Sequence, residues 1–488
     1  MNSSQGLVIV SNRLPITISS GEKHRICPSS GGLVNALMPI LRENRGFWVG
    51  WTGVEYDEAS GSALNDWQSS QTSCFVPVFL TAKEADCYYR GFSNEIIWPL
   101  FHSLTSRRQF ESTYWHYYLT ANEKFADALL RVVQQHHFVW VHDYHLMMLA
   151  EVLRRRGLRQ RLAYFHHVPF PSPDIFETLP WRLEILGSLL SYDVLGFQTL
   201  RDRSNFIACL RRCLGNLRVI RTDDSFLVSA NGRHVTVGTF PISIDYEMFA
   251  AEASRPQTLE MVNAIKKGYS GTRIILGVDR LDYTKGIPER LSAFGNFLED
   301  YPEWRERVTM VQVVVPSRED IPEYKKLQQE IETCVSRING CYSTARWVPI
   351  HYFYRSIPIR ELVAFYRSSD IAMVTPLRDG MNLVSKEFCA ARLDNRGVLI
   401  LSEFAGSADE LKGGALLVNP NDSRQMAGAL ARALRMHETE QAVRMNRMRT
   451  RIRQNDVFHW FQRVTSESPQ WVSSPESART APLVVVGS

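Results

Sequence analysis

The chain has 488 residues, 44% hydrophobic and 22% charged, and a net charge of +5. That length supports two or three sizeable cores, and so small a charge on so long a chain gives no footing for nucleic-acid binding. No apolar run approaches the ~20 residues that span a bilayer, and the start, MNSSQGLVIVSNRLP, lacks the basic and apolar segments of a signal peptide, so no membrane partner is expected. The eight cysteines (27, 74, 87, 209, 213, 334, 341 and 389) form no C-x-x-C pair, and Cys209 and Cys213 share a helical pattern. They read as free thiols of a reducing, cytoplasmic compartment. The Arg-rich stretches 152–162 and 444–453 read as solvated helix faces.

Short β-branched runs alternate with helical patterns, which indicates parallel α/β structure. Leu7 to Val10 is a first buried strand ending at Ser11-Asn12-Arg13. Ser29-Ser30-Gly31-Gly32 then opens a helix with Leu33, Leu37, Ile40 and Leu41 on one face. Paired glycines at a helix start let backbone approach a ligand closely, although such a pair more often serves a simple turn. Phe47 to Gly53 and Tyr88 to His102 are dense in aromatics, on which sugars stack, although such clusters belong more often to cores. Phe138 to Val141 is a strand delivering His142-Asp143-Tyr144-His145 to its carboxyl end. Leu162 to Phe165 is another, ending in His166-His167-Val168-Pro169-Phe170-Pro171. The prolines hold that segment extended, and no pair has the helical i, i+4 spacing of metal ligands, so these histidines do not read as a metal site. Asp193 to Thr199 is a further strand, Thr239 to Asp245 closes a first half, and the polar stretch Ala251 to Gln257 reads as a linker.

Alternation then restarts. Arg273 to Val278 is a strand, and Asp279 to Arg290 a loop leading into a helix. Arg280 and Lys285 flank that turn, a basic pair that suits a diphosphate or a plain surface. Val308 to Val315, ending at Pro316-Ser317-Arg318, then Arg346 to Phe353, Ile371 to Val374, Val398 to Ser402 and Ala415 to Val418 continue the sheet. Helical patterns run from Ser423 to Phe461, and the Ser-, Pro- and Ala-rich tail after Val472 has a disordered composition.

The most informative stretch is Thr375 to Phe388, TPLRDGMNLVSKEF. Strand, glycine-containing loop and a helix from Ser385 to Ala391 form the place where an open α/β sheet binds ligands. The helix start offers N–H groups and a positive dipole end to a phosphate. Asp379 lies in the loop and Glu387 in the expected first turn. Carboxylates repel phosphate, so their work is to accept hydrogen bonds from hydroxyls. Together these features suit a nucleotide sugar, and a solvated loop with a capping acid is the plainer alternative. The fold class expected is α/β, two Rossmann-like halves separated near residue 245, with polar loops from both halves facing a cleft.

In chain order, SNRLP (11–15), SGGL (30–33), FWVGWTG (47–53), FSNEIIWPLFH (92–102), VHDYHLM (141–147), HHVPFPSPDIF (166–176), GFQT (196–199), RLDYTKGIPER (280–290) and TPLRDGMNLVSKEF (375–388) stand together in this sequence. As a set, over roughly residues 7–465, they resemble the α,α-trehalose-phosphate synthases, UDP-forming retaining glycosyltransferases of the GT-B architecture. The resemblance implies glucose transfer from UDP-glucose to glucose-6-phosphate without a metal or cofactor. It implies an acceptor domain over 1–245, a nucleotide-sugar domain over 246–455, a C-terminal helix over 456–472 packing back on the first domain, and a disordered tail over 473–488. A homo-oligomer, dimer or tetramer, is implied as well.

Carried over by motif, Gly31 and Gly32 would offer backbone N–H groups to the donor phosphate, and Arg280 and Lys285 would neutralise the diphosphate. Asp379 would hold hydroxyls of the donor glucose. Leu383 and Val384, with Ser385 and Lys386 beside them, would meet the donor at the helix start. Glu387 would take the ribose hydroxyls, and Ile357 would touch the base through its main chain. Arg13, Tyr89 and Arg318 would grip the acceptor's 6-phosphate, with Asp143 and Trp98 shaping its sugar pocket. Trp98 and Val168 would select the anomer, and His167, with Asp143, Arg280, Lys285 and Asp379, would stand at the reacting centre. Two positions depart from the family pattern: Ser243 stands where P-I-G-I has glycine, and His166 replaces a position often apolar. No D-x-D-x-T/V motif appears, so dephosphorylation is left to a separate trehalose-6-phosphate phosphatase. The nearest alternatives are a sister enzyme using glycerol-3-phosphate and a non-catalytic sugar-phosphate sensor, and GDP or ADP remain open as donor bases beside UDP.

Overall fold

The computed structural model describes residues 6–466 apart from 20–24, 29–30, 45, 69–72, 105–108, 216, 223, 231, 270 and 320. Ser29, Ser30 and the expected disordered tail 473–488 therefore lie outside the described residues. The chain divides into two compact units, one taking in the described residues of Met1–Ile242 and Phe458–Ser488, the other Ser243–Val457. Each has its own sheet.

In the first unit, nine described strands lie in the order Cys74–Val78, Phe47–Trp51, Leu7–Arg13, Phe138–His142, Leu162–His166, Val194–Phe197, Arg233–Thr239, Ser225–Ala230 and Arg218–Arg221. The first seven are parallel, and the last two are joined at the edge by antiparallel pairing, Ser225–Ala230 running against its neighbours on both sides. Val8, Ile9 and Val10 are fully buried, as the continuous apolar run of a strand covered on both faces must be. Leu37, Ile40 and Leu41 bury one face of the helix Gly32–Glu43, together with Ala36, while Leu33 at its exposed start is only half-buried. The last helix among the described residues, Val457–Ser466, belongs to this unit from Phe458 on, and its Trp460 packs 4.6 Å from the ring of Trp140.

The second unit holds six parallel strands in the order Ile350–Tyr354, Val308–Val315, Arg273–Arg280, Ile371–Val374, Val398–Ser402 and Leu416–Val418. Numbered along the chain this is 3-2-1-4-5-6, the doubly wound Rossmann order. Alternation along its strands sorts the core into two layers. Ile275, Met310, Met373 and Ile400 face one layer; Leu276, Val311, Ala372 and Leu401 face the other.

Four expectations need correcting. The stretch Ala251–Gln257 is no linker: it runs through the helices Tyr246–Ser254 and Pro256–Gly268, the first capped by the Asp245 carboxylate accepting the Met248 N–H. Thr258 and Glu252 are buried and bonded to each other at 2.9 Å, which hides the polarity that suggested a linker. The strand expected from Arg346 begins at Ile350, because Trp347 instead bridges back to Thr344 and buries its indole. The Arg-rich stretches are not wholly solvated either. Arg154 donates to Asp193 and to the carbonyls of Leu158 and Gln160, and Arg449 to Asn395 and Tyr246. Finally, the helix after the Thr375 loop starts at Leu383, two residues early, so Glu387 falls in its second turn.

Candidate active site

Open parallel sheets bind ligands where the strand order reverses, since neighbouring loops there diverge to opposite faces. In the first unit that point lies between Leu7–Arg13 and Phe138–His142, which pair through Ser11 and His142. Their ends carry Arg13 and Asp143. The Arg13 guanidinium lies 4.6 Å over the Trp51 ring, Trp51 meets Tyr89 edge-on at 5.7 Å, and Tyr89 stacks on His145 at 5.8 Å. Gly53, at φ 89°, passes so close to the guanidinium that a Cβ there would run into it.

Tyr89 sits on a π-wound helix, Ala85–Ile97, that leads directly into Trp98–Phe101. Such helices are rare and concentrate at functional sites. The Asn94 amide braces this one, donating to the Tyr89 carbonyl at 2.7 Å and accepting from the Tyr144 hydroxyl at 3.3 Å. Trp98 lies 5.8 Å from the Tyr144 ring. Asp143 takes φ 74°, donates its N–H to the Phe165 carbonyl at 2.8 Å, and accepts the His167 N–H at 3.2 Å. Val168 is buried beside it in sequence. Arg13, Tyr89, Trp98, Asp143 and His167 are thus linked through neighbouring rings and hydrogen bonds. Gly31 caps and Gly32 begins the helix Gly32–Glu43, and a Cβ on Gly31 would meet nothing within 4 Å, so packing alone does not demand glycine there.

In the second unit the reversal lies between Arg273–Arg280 and Ile371–Val374. The following loops are tied together: Leu377 N–H donates to the Thr284 carbonyl at 2.8 Å, and Lys285 Nζ meets Asp379 Oδ2 at 2.5 Å. Asp379 is held from the other side as well. Its N–H donates to the Phe404 carbonyl and its own carbonyl accepts from Gly406. Gly286, at φ 63°, would push any Cβ into the Thr375 carbonyl. Arg280 stands exposed at the strand end.

Asn382 caps the helix Leu383–Ala391 by accepting the Ser385 N–H at 3.4 Å. The N–H groups of Leu383 and Val384 precede any intrahelical acceptor. Glu387 is buried, and burial pushes its carboxyl up to about 7 against the opposing hydrogen bond from the Tyr366 hydroxyl at 2.8 Å. The Lys386 ammonium is fully buried on Glu410 at 3.0 Å. The Ser385 hydroxyl is likewise turned inward, to the Asn382 carbonyl and to Ser407.

Arg318, expected with Arg13 and Tyr89, belongs to the second unit, where it donates to the Tyr324 hydroxyl at 2.6 Å and lies 3.9 Å from Asp282. Burial works to raise the Asp282 carboxyl, but Arg318, Lys285 and Arg280 prevail and hold it below the usual range. Ile357 is half-buried against the same unit's core.

One organising residue was not singled out in the sequence. Arg290 is completely buried and donates to Asp279 at 2.6 Å, Thr375 Oγ1 at 3.0 Å, Gln312 at 3.2 Å and the Lys285 carbonyl at 3.3 Å. It joins both loops of the switch point from beneath. Its signal was available: it shares the apolar stripe of the helix Ile287–Asp300 with Ile287, Leu291 and Phe294. Among the described residues no group of three or more His, Cys, Asp or Glu is placed to hold a metal ion, and no helix is long and apolar enough to cross a membrane.

The sequence profile described as Glycosyltransferase family 20 matches residues 5–469. The chain belongs to glycosyltransferase family 20. Among this family 20 chain's relatives, a protein of Candida albicans named alpha,alpha-trehalose-phosphate synthase [UDP-forming] is 40% identical, covering 93% of this chain and 95% of its own. The chain spans only 61% of a similarly named Dictyostelium discoideum protein and 62% of a Thermoproteus tenax bifunctional trehalose-6-phosphate synthase/phosphatase. Two solved structures are alike throughout. One from E. coli, bound with UDP-2-fluoro glucose, has a TM-score of 0.84 at 36% identity, covering 96% of this chain and 99% of its own. The other, an alpha,alpha-trehalose-phosphate synthase from Burkholderia xenovorans in complex with glucose-6-phosphate, has 0.86 at 34%, covering 94% and 99%. The architecture is that of these GT-B enzymes, and the family 20 chain is a hexosyltransferase.

Proposed function

We propose that this protein transfers glucose from UDP-glucose to glucose-6-phosphate with retention of configuration, releasing UDP and α,α-trehalose 6-phosphate. The observation that carries the reading is the contact between Lys285 and Asp379 at the start of the helix Leu383–Ala391. It sets a cation for the diphosphate beside a carboxylate that accepts hydroxyls, so one site answers both halves of a nucleotide sugar. Without substrate the two neutralise each other. With the donor bound, Lys285 and Arg280 carry the charge growing on the departing diphosphate, and Asp379 holds the glucose. The N–H groups of Leu383 and Val384 add donors, and Glu387 takes the ribose.

On the acceptor side Arg13 and Tyr89 hold the 6-phosphate, while Trp98, Asp143 and Val168 shape the sugar pocket near His167. The acceptor hydroxyl attacks from the face the diphosphate leaves, and the leaving phosphate takes its proton. The protein supplies orientation and charge stabilisation. A cytoplasmic location, supported by eight free thiols, and a homo-oligomeric state complete the reading.

The deciding experiment sets UDP-, GDP- and ADP-glucose against glucose-6-phosphate and glycerol-3-phosphate, following nucleotide release and product mass. A non-reducing disaccharide phosphate formed with UDP-glucose and glucose-6-phosphate supports the reading. Product with glycerol-3-phosphate alone, or binding without turnover, overturns it.

A further inference from the structure

We infer that Gln198, oriented by the backbone N–H of Ile242, holds His167 as its Nε2–H tautomer, so that both ring nitrogens are engaged within the protein and neither is offered for proton transfer. The argument starts from the one member of the chain of bonds that cannot reverse. A backbone N–H only donates. Ile242 N–H donates to Gln198 Oε1 at 2.9 Å, which fixes the orientation of an otherwise ambiguous amide. Gln198 Nε2 then faces His167 Nδ1 at 3.3 Å and must donate, so that nitrogen carries the lone pair. The proton of a neutral His167 is on Nε2, 3.0 Å from His142 Nδ1, and His142 accepts it. His142 in turn carries its proton on Nε2, which is buried without a hydrogen-bond partner beside the Trp140 ring at 4.5 Å. The opposite sense would set an amide N–H against the Ile242 N–H, leaving a buried backbone donor unmet at a cost of ~1–3 kcal/mol.

The surroundings keep both rings neutral. Gln198 and His142 are buried. Burial first, and His167 second, hold His142 well below its ordinary pKa; burial first, and His166 second, lower His167. The titratable groups near the His167 ring are His142 from the neighbouring strand, His166 from its own, and Asp143, whose carboxylate takes the His167 backbone N–H. From the last helix the facing side chain is Trp460, 6.2 Å away, which does not titrate. Gln198 and His142 are therefore positioning residues. The consequence for turnover rests on the placement of His167 beside the acceptor sugar pocket proposed above.

The test uses the full chain with ¹⁵N-labelled histidine, substrate-free, in long-range ¹H–¹⁵N ring spectra from pH 6 to 8, with His167 assigned by its loss in His167→Gln. Expected is an unprotonated Nδ1, a protonated Nε2 and no titration. A protonated Nδ1, or a midpoint between pH 6 and 8, overturns the inference. Gln198→Glu keeps an acceptor for Ile242 but turns an acceptor toward Nδ1. It should move a proton onto Nδ1 and give kcat a pH dependence across 6 to 8 that the parent lacks; an unchanged tautomer in the folded variant counts against the inference. Should Gln198→Glu not fold, the spectrum of the parent decides alone. A chain that makes no disaccharide phosphate would refute the proposed function and leave the tautomer result readable.

Discussion

Replacing Arg290 by methionine removes the buried cation and keeps a long apolar side chain in the helix stripe. The consequence follows from what is left behind. Asp279 is 2% exposed as a side chain and sits 2.6 Å from the guanidinium, so the variant buries a carboxylate with its main partner gone. Breaking such a pair from one side costs about 3–5 kcal/mol. At ~2–4 °C per kcal/mol for a unit of this size, the melting temperature should fall by roughly 6–20 °C. The sign with pH is also determined. Burial already raises the Asp279 carboxyl while Arg290 opposes it, so losing Arg290 raises the folded pKa further above the unfolded value. A group raised on folding is not penalised below its unfolded pKa, and stability is lost as pH rises through the folded one. The variant should therefore be closer to the parent at pH 5 than at pH 8. Calorimetric and urea unfolding of R290M, D279N and the double variant at both values provide the assay. The double variant, with no stranded charge, should recover about 2 kcal/mol or more over R290M at pH 8. A loss under about 1 kcal/mol in R290M, or no recovery in the double variant, refutes the reasoning.

Lys285→Ala should lower turnover by on the order of a hundredfold or more while the protein stays folded, read as nucleotide release; near-full turnover would remove Lys285 from charge stabilisation. UDP binding should weaken as pH falls from 8 to 6, because a carboxyl raised to about 7 must be ionised to accept two ribose hydroxyls. The ratio of Kd between the parent and Glu387→Gln, by calorimetry, isolates that group from the titration of UDP itself, and a ratio constant with pH would contradict the role. Gly286→Ala should cost about 1–3 kcal/mol, since it forces a side chain into a left-handed turn and against the Thr375 carbonyl; an unfolding curve matching the parent would show that the turn relaxes freely.

Much of this protein is legible in its sequence because buried parallel strands need apolar residues on both faces. Val308 to Val315, Ile371 to Val374 and Val398 to Ser402 are strands to the residue. The loop carrying Asp379 announces itself by glycine, polarity and a helix start, and the order of the motifs names the family. What the sequence could not decide are matters of which distant groups meet. Strand order, not spacing, brings Lys285 to Asp379 across 94 residues. Arg290 lies on an apolar helix stripe, but only the fold gives it Asp279, Thr375 and Gln312 as partners, and Ala251–Gln257 looks like a linker until Glu252 and Thr258 find each other inside. The proton on His167 is settled by a backbone N–H 75 residues away. Local pattern follows from each residue's own chemistry, whereas burial and hydrogen-bond sense depend on partners that only folding supplies.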